Sequence, residues 1–229
     1  MTIHDMQNLN RNAVAYVTSV IQPGMTLSSV RSLCEEYLLT HGADSFWYWD
    51  VGAFIFRNED TTRSVSGRDY RIADTVIEST DIITIDLSPQ YENIWGDYAR
   101  TIVIENGVAI TDPTKIRNDE WRSGLLMEES LHKAMRAFVC RDTTFEQLFF
   151  YINNVIRDNG YLNLDFLGNL GHSIVREKGQ RIYIEKGNHT KLSEVEAFTF
   201  EPHISLLGGK YGYKMENIYA FEDEHLIEL

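Results

Sequence analysis

The stretch TLSSVRSLCEEYLLTHG (Thr26–Gly42) returns in pattern as TFEQLFFYINNVIRDNG (Thr144–Gly160), aligned without gaps at an offset of 118 residues. Each copy opens on a threonine able to cap a helix, carries apolar residues at matching turns and closes on glycine. Few residues are shared, so what repeats is a cap, a buried face and a stop. A helical pattern precedes each copy. Ala13, Val14, Val17, Val20 and Ile21 mark a helix over Asn10–Ile21, ended by Pro23-Gly24, and Glu120–Val139 reads as a long amphipathic helix. Strand patterns follow each pair: Phe46–Trp49, Gly52–Phe56, Asp81–Leu87 and Tyr98–Ile104 in the first half, with Asn58–Asp69 as a polar loop between them. In the second half they lie around Ile174 and at Ile182–Ile184, Ala197–Glu201 and Ile218–Phe221. The fold class is therefore α+β. A single domain over 1–229 is expected, made of repeat halves at about 10–110 and 120–222, each a helix pair on a curved antiparallel sheet.

The bulk numbers narrow the function. The 229 residues carry 21 basic against 34 acidic side chains, a net charge of −13, which argues against a nucleic-acid footprint of clustered Lys and Arg. No apolar run is long enough to span a membrane, and the first residues (MTIHDMQNLN) show neither a basic nor an apolar leader pattern. Cys34 and Cys140 form no CxxC and read as buried free thiols. A soluble, cytoplasmic chain is the expectation.

The chemistry concentrates in acids at strand ends. Within ITIDLSPQYENIWGDYARTIVI (Ile83–Ile104), Asp86 and Asp97 flank a turn with ten residues between them, although carboxylates are poor strand residues and costly to bury alone. The repeat extends to them. TIDL (84–87) resembles TFEP (199–202) at an offset of 115, and Asp97 matches Glu216 at 119. A pseudo-two-fold packing would bring Asp86, Asp97, Glu201 and Glu216 towards one axis, where their mutual repulsion calls for cations. His172, in GNLGHSIV (168–175), has Phe54 as its first-half counterpart, so it is no repeat-wide packing residue.

These residues carry a resemblance. Asp86, Asp97, the GHS of 171–173, FTFEPHI (198–204) and the late strand residue Glu216 resemble the pita-bread metallopeptidases, the family of methionine aminopeptidase, aminopeptidase P and prolidase. The resemblance runs from the first helix to about Phe221. It implies a pita-bread fold and metal ligands at Asp86, Asp97, His172, Glu201 and Glu216. Glu201 would also move the proton of a water activated between two divalent ions. Four carboxylates and one imidazole suit Mn, Co, Fe or Zn, with manganese favoured. The implied reaction is hydrolysis of a peptide near its N-terminus. DYARTI (97–102) resembles the Xaa-Pro branch. A peptide substrate is the implied partner, with no nucleic acid or membrane, and a homodimer is possible.

The chain also departs from the family pattern. No histidine lies between Phe46 and Ser66, where the family has one that contacts substrate; Trp47, Tyr48, Trp49 and Asp50 occupy that approach. For the family's second substrate-side histidine, His189 is the candidate catalytic donor and His203 a candidate substrate contact, with Trp95 as a candidate pocket wall. Cys34 lies on a helix and so does not match the pocket cysteine of methionine aminopeptidases. Lys214 stands where the proline branch has arginine, two residues before Glu216. His4, His41, His132 and His225 read as solvated. The alternatives are a catalytically inactive module on the same fold, methionine aminopeptidase-like specificity, and a metal-free C–N hydrolase resembling creatinase.

Overall fold

In the computed structural model, which describes residues 1–229 with the side chain of Lys178 excepted, the first half runs α1 (Ile3–Val20), α2 (Leu27–Thr40), β1 (Ser45–Phe46), β2 (Ala53–Arg57), β3 (Asp81–Leu87), β4 (Pro89–Tyr91), β5 (Ile94–Trp95), β6 (Tyr98–Glu105) and β7 (Val108–Ile110). The second half runs α3 (Asp119–Phe138), α4 (Phe145–Asp158), β8 (Tyr161–Asn163), β9 (Phe198–Phe200), β10 (His203–Leu206), β11 (Gly212–Lys214), β12 (Asn217–Glu222) and β13 (His225–Glu228). The repeated caps form as the sequence predicts. Thr26 accepts from the Ser29 N–H, and Thr144 builds a capping box with Gln147.

The helix pairs cover antiparallel strands ordered β2-β3-β6-β7 in the first half, and β8-β10-β11 and β9-β12-β13 in the second; β1-β4-β5 forms a small side sheet. Each half has a main core, and the second is completed by Ile82 of β3 and Val103 of β6 from the first. Val17, Val30 and Leu38 pack on Ile83 and Ile85 in the first, and Leu131, Leu148 and Ile152 pack on Phe198 and Phe200 in the second. The halves meet at a seam where Arg100 bridges Met215 and the Glu216 N–H donates to the Ala99 carbonyl at 3.0 Å. This is the pita-bread architecture, and no helix among the described residues is long and apolar enough to cross a membrane.

Several sequence expectations need correction. α1 starts at Ile3 rather than Asn10, with Thr2 and Asp5 forming a capping box. The expected strand at Ile182–Ile184 is reduced to a single bridge between Tyr183 and His172. The expected Phe46–Trp49 strand stops at Phe46, because the chain turns through Trp49 and Asp50 at φ of 51° and 61°. His132 is wholly buried, not solvated, since it lies on the inward face of α3, bonded to the Tyr219 hydroxyl and the Met215 carbonyl. Cys140 is exposed, while Cys34 is buried as expected.

Candidate metal centre

The site lies where strand ends from the two halves meet. β3 carries Asp86, which pairs with Phe54 and Ala99, and Asp97 immediately precedes β6. On the other side Phe200 pairs with Asn217, so the same antiparallel register sets Glu201 and Glu216 opposite each other just past the ends of β9 and β12. Asp97 is also pinned through its backbone, its carbonyl accepting from Gln7 Nε2 at 3.0 Å. His172 is held against β9: its N–H donates to Thr199 Oγ1 at 3.0 Å, and its carbonyl accepts from the Thr199 N–H. Gly171 makes that approach possible, since a Cβ there would fall 2.3 Å from the Thr199 carbonyl oxygen.

Oxygens of Asp86, Asp97 and Glu216 lie within 4.8 Å of one another. His172 Nε2 stands 3.4 Å from Asp97 Oδ2 and 3.5 Å from Glu201 Oε1. The imidazole donates from Nδ1 to the Ser173 carbonyl at 3.1 Å, which leaves the Nε2 lone pair turned towards the carboxylates. The Tyr48 hydroxyl joins this group at 3.0 Å from Asp97 Oδ2 and 3.1 Å from His172 Nε2, and accepts from Arg181 Nη1 at 2.9 Å. A cleft of about 460 Å³ opens onto the cluster, walled by Trp49, Phe54, Phe56, Phe166, Arg181 and His203 among others.

Both carboxylate oxygens of Glu216 are buried without a hydrogen-bond partner. Such atoms are costly unless a cation meets them. With the oxygen-rich donor set, this fits the residues to hard divalent ions. Burial raises the Glu216 carboxyl well above its ordinary value, and Asp97 and Glu201 add to the rise. Burial also pushes Asp86 up to about 6 against the pull of Lys214, with Asp97 contributing. For Glu201 burial is outweighed by Lys214 and His172, which hold it down at about 2. A divalent ion would favour the ionised form of every one of these groups.

The model of metallopeptidase family M24 matches residues 2–223. The chain belongs to that family. Among solved structures, the M24 chain is similar to an X-Pro aminopeptidase from Thermotoga maritima (TM-score 0.81, 21% identity, 99% of this chain and 59% of that one). It is also similar to a prolidase from Pyrococcus furiosus (0.80, 20%, 99% and 61%) and a methionine aminopeptidase from Rickettsia prowazekii (0.72, 18%, 99% and 94%). It thus spans about three fifths of the first two and nearly all of the third. At these identities the likeness shows the fold. Comparison with curated protein sequences finds no match.

Of the five side chains expected to hold metal in this M24 chain, Asp86, Asp97, His172 and Glu201 line one cleft, and Glu216 is buried against Asp86 and Asp97 beside it. The other three expected residues divide. His203 lines the cleft, but both ring nitrogens are taken, Nε2 by the Thr61 carbonyl at 2.7 Å and Nδ1 by Ser64 Oγ at 3.1 Å. Burial, helped by Lys214, lowers it to about 4, so it is a neutral wall. Trp95 lies behind the site. It stacks on His172 with ring centroids 5.5 Å apart and donates Nε1–H to the Val175 carbonyl, so it buttresses the imidazole instead of facing substrate. His189 is not brought to the cleft at all: its side chain is exposed, paired with Glu146 at 3.2 Å on α4. Tyr48, which the sequence places on the approach without a role, contacts Asp97 and His172, and Arg181, which carries no sequence signature, bonds to it. Thr199 was hidden as an ordinary strand threonine.

Proposed function

We propose that this M24 chain is a dinuclear metal-dependent exopeptidase that hydrolyses N-terminal peptide bonds, of the Xaa-Pro aminopeptidase or dipeptidase kind. One observation carries the reading: four carboxylates and an imidazole from strand ends of both halves meet beside one cleft, with both Glu216 oxygens lacking a hydrogen-bond partner. Asp86, Asp97 and Glu216 would hold one ion, and Asp97, His172, Glu201 and Glu216 a second. When bound, the ions supply Lewis acidity and lower the pKa of water.

The chain's own groups do the rest. Lys214 Nζ lies on Glu201 Oε2 at 3.0 Å, which leaves Oε1 as the oxygen that would accept a proton and later pass it to the departing amine. Trp49, Phe54, Phe56 and Phe166 give the substrate side an apolar wall that excludes water, with Arg181 as its cation. The DYARTI context of Asp97 and the X-Pro aminopeptidase and prolidase among the structural neighbours support the proline branch.

A second reading, a metal-binding module without catalysis, is favoured by one observation. Among the described cleft residues, the only imidazoles are His172 and the fully engaged His203. The test measures metal content, then turnover of Xaa-Pro and Met-Xaa dipeptides with added Mn²⁺ or Co²⁺. Hydrolysis lost together with metal in Asp97→Ala is the expected result. Two ions bound with no peptide cleaved would select the second reading, and hydrolysis retained in Asp97→Ala would overturn the bridging role.

A further inference from the structure

A second cavity, of about 750 Å³, lies on the face of β6 turned away from the candidate metal centre. Asp86 of the cleft pairs with Ala99, so the neighbouring side chains of Tyr98 and Arg100 point to the other face and line this cavity. It is bounded by α1 and α3, the helices that open the two halves, with Val14 and Leu125 on its helical sides and Ile102 and Ile110 on its sheet side. A space of this size with apolar walls has the dimensions of a small-molecule site.

Glu128 of α3 lines the cavity at 1% exposure, and both its carboxylate oxygens lack a hydrogen-bond partner. The internal repeat explains the lack. At the offset of 118, Glu128 corresponds to Asn10 and Leu125 to Gln7. Asn10 is as deeply buried, but its Nδ2 donates to Gln7 Oε1 at 2.8 Å, and Gln7 donates onward to the Asp97 carbonyl. Leu125 can offer Glu128 no such bond. The cations that line the cavity are engaged elsewhere: Arg11 with the Leu229 carbonyl and Asn8, Arg100 with the Ala99 and Glu216 carbonyls and Asn217, and Lys214 with the carboxylate cluster. Burial therefore dominates at Glu128 and raises its carboxyl well above the ordinary value, against weaker pulls from the Met215 backbone, Lys214 and Arg100. A position that served packing alone would be better filled by an apolar side chain, since an unmatched buried carboxylate is destabilising.

We propose that this cavity binds a small alkylammonium compound, its ammonium on Glu128 and its chain along Val14, Ile102, Ile110 and Leu125. The ammonium brings the donors and the charge that the surrounding side chains do not give Glu128. A divalent ion is the poorer match, because it takes about six oxygen ligands and the walls are mainly apolar around one buried carboxylate. Glu129, exposed and also lining the cavity, adds negative charge at its mouth. The site is separate from the peptide cleft and stands whether or not the cleft holds metal.

The experiment is calorimetric titration of the full chain at neutral pH with n-hexylamine, and with n-hexanol as the uncharged probe of the same length. The wild type should bind the amine saturably at a single site and the alcohol at least tenfold more weakly. Glu128→Gln should weaken amine binding at least tenfold and leave the alcohol unchanged. Ala15→Trp, at an exposed position of α1 that lines the cavity, should block both probes with circular dichroism intact. Asp97→Ala, which alters the cleft, should bind the amine as the wild type does. No saturable amine binding, equal affinity for amine and alcohol, or amine binding untouched by Glu128→Gln or by Ala15→Trp would overturn the proposal. So would loss of amine binding in a folded Asp97→Ala, which would place the amine in the peptide cleft.

Discussion

Gly171→Ala tests whether the close approach of the His172 segment to β9 builds the site. Gly171 has φ of 135°, a region L side chains rarely occupy, and an added Cβ would sit 2.3 Å from the Thr199 carbonyl oxygen and 2.8 Å from its Oγ1. The backbone strain costs about 1–3 kcal/mol. The overlap requires Thr199 to shift by roughly an ångström, an overpacking cost of about 1–3 kcal/mol. Thr199 cannot shift freely, because β9 pairs it with Ile218 and its backbone bonds to His172. The sum is about 2–6 kcal/mol; with a urea m-value of about 2 kcal/mol/M the unfolding midpoint falls by roughly 1–3 M. Metal uptake should weaken as well, since His172 and Glu201 both hang on Thr199. Gly179→Ala is the control, having no atom within 4 Å of the added Cβ and no positive φ. A Gly171→Ala midpoint within about 0.3 M of the control, a small fraction of the shift expected from these costs, would refute the reasoning.

Thr199→Val keeps the shape of the residue but removes the hydroxyl that accepts from the His172 N–H and donates to Glu201 Oε1. A loss of about 2–4 kcal/mol is expected, seen as a drop of roughly 5–15 °C in melting temperature; an unchanged melt would show that the hydroxyl carries no weight. His132 gives the clearest pH signature, as burial lowers it from 6.5 to about 3. A base with a depressed folded pKa gives stability that is complete above the unfolded value of 6.5 and lost as pH falls towards 3. That stability amounts to about 5 kcal/mol at about 1.4 kcal/mol per unit. His132→Gln should flatten the acid limb of a stability–pH curve, and an acid limb as steep as in the wild type would count against this assignment.

The repeated helices were legible because caps and apolar spacing are local signals, and Thr26 and Thr144 act as the sequence implies. The convergence of the acids was legible for a related reason: acids at strand ends have few structural uses, so their repeat carried information. Polar burial was not legible. The start of α1 was missed because its inward face includes Gln7 and Asn10, wholly buried and bonded to each other, with Gln7 reaching Asp97. A periodicity reading counts such residues as solvent-facing. His132 misled for the same reason. His189 failed differently: loop residues have no register, so distance along the chain from His172 said nothing about distance in space. Its partner Glu146 lies on the capped first turn of α4, a contact made between distant parts of the chain.

The seam between the halves and the metal centre are the same place, and this couples the site's chemistry to its stability. The Glu216 N–H bonds across to Ala99, while the half-buried Arg100 guanidinium donates to the Glu216 carbonyl and to Asn217 Oδ1. These contacts draw the acids of one half onto those of the other; burial first, and the neighbouring carboxylates second, push Asp86 and Glu216 upward. Lys214 offsets part of the carboxylates' repulsion from within the cluster. On the proposed reading, divalent ions would relieve whatever repulsion the ammonium leaves, and metal binding would then stabilise the docking of the halves by the same free energy with which docking prepares the site for metal. A half alone holds only part of the donor set: Asp86 and Asp97 in the first, His172, Glu201 and Glu216 in the second. Ion binding by the chain would thus be a property of the seam, and a substitution at Arg100, which bonds the Glu216 carbonyl and not its carboxylate, should disturb the candidate metal centre through the backbone it holds.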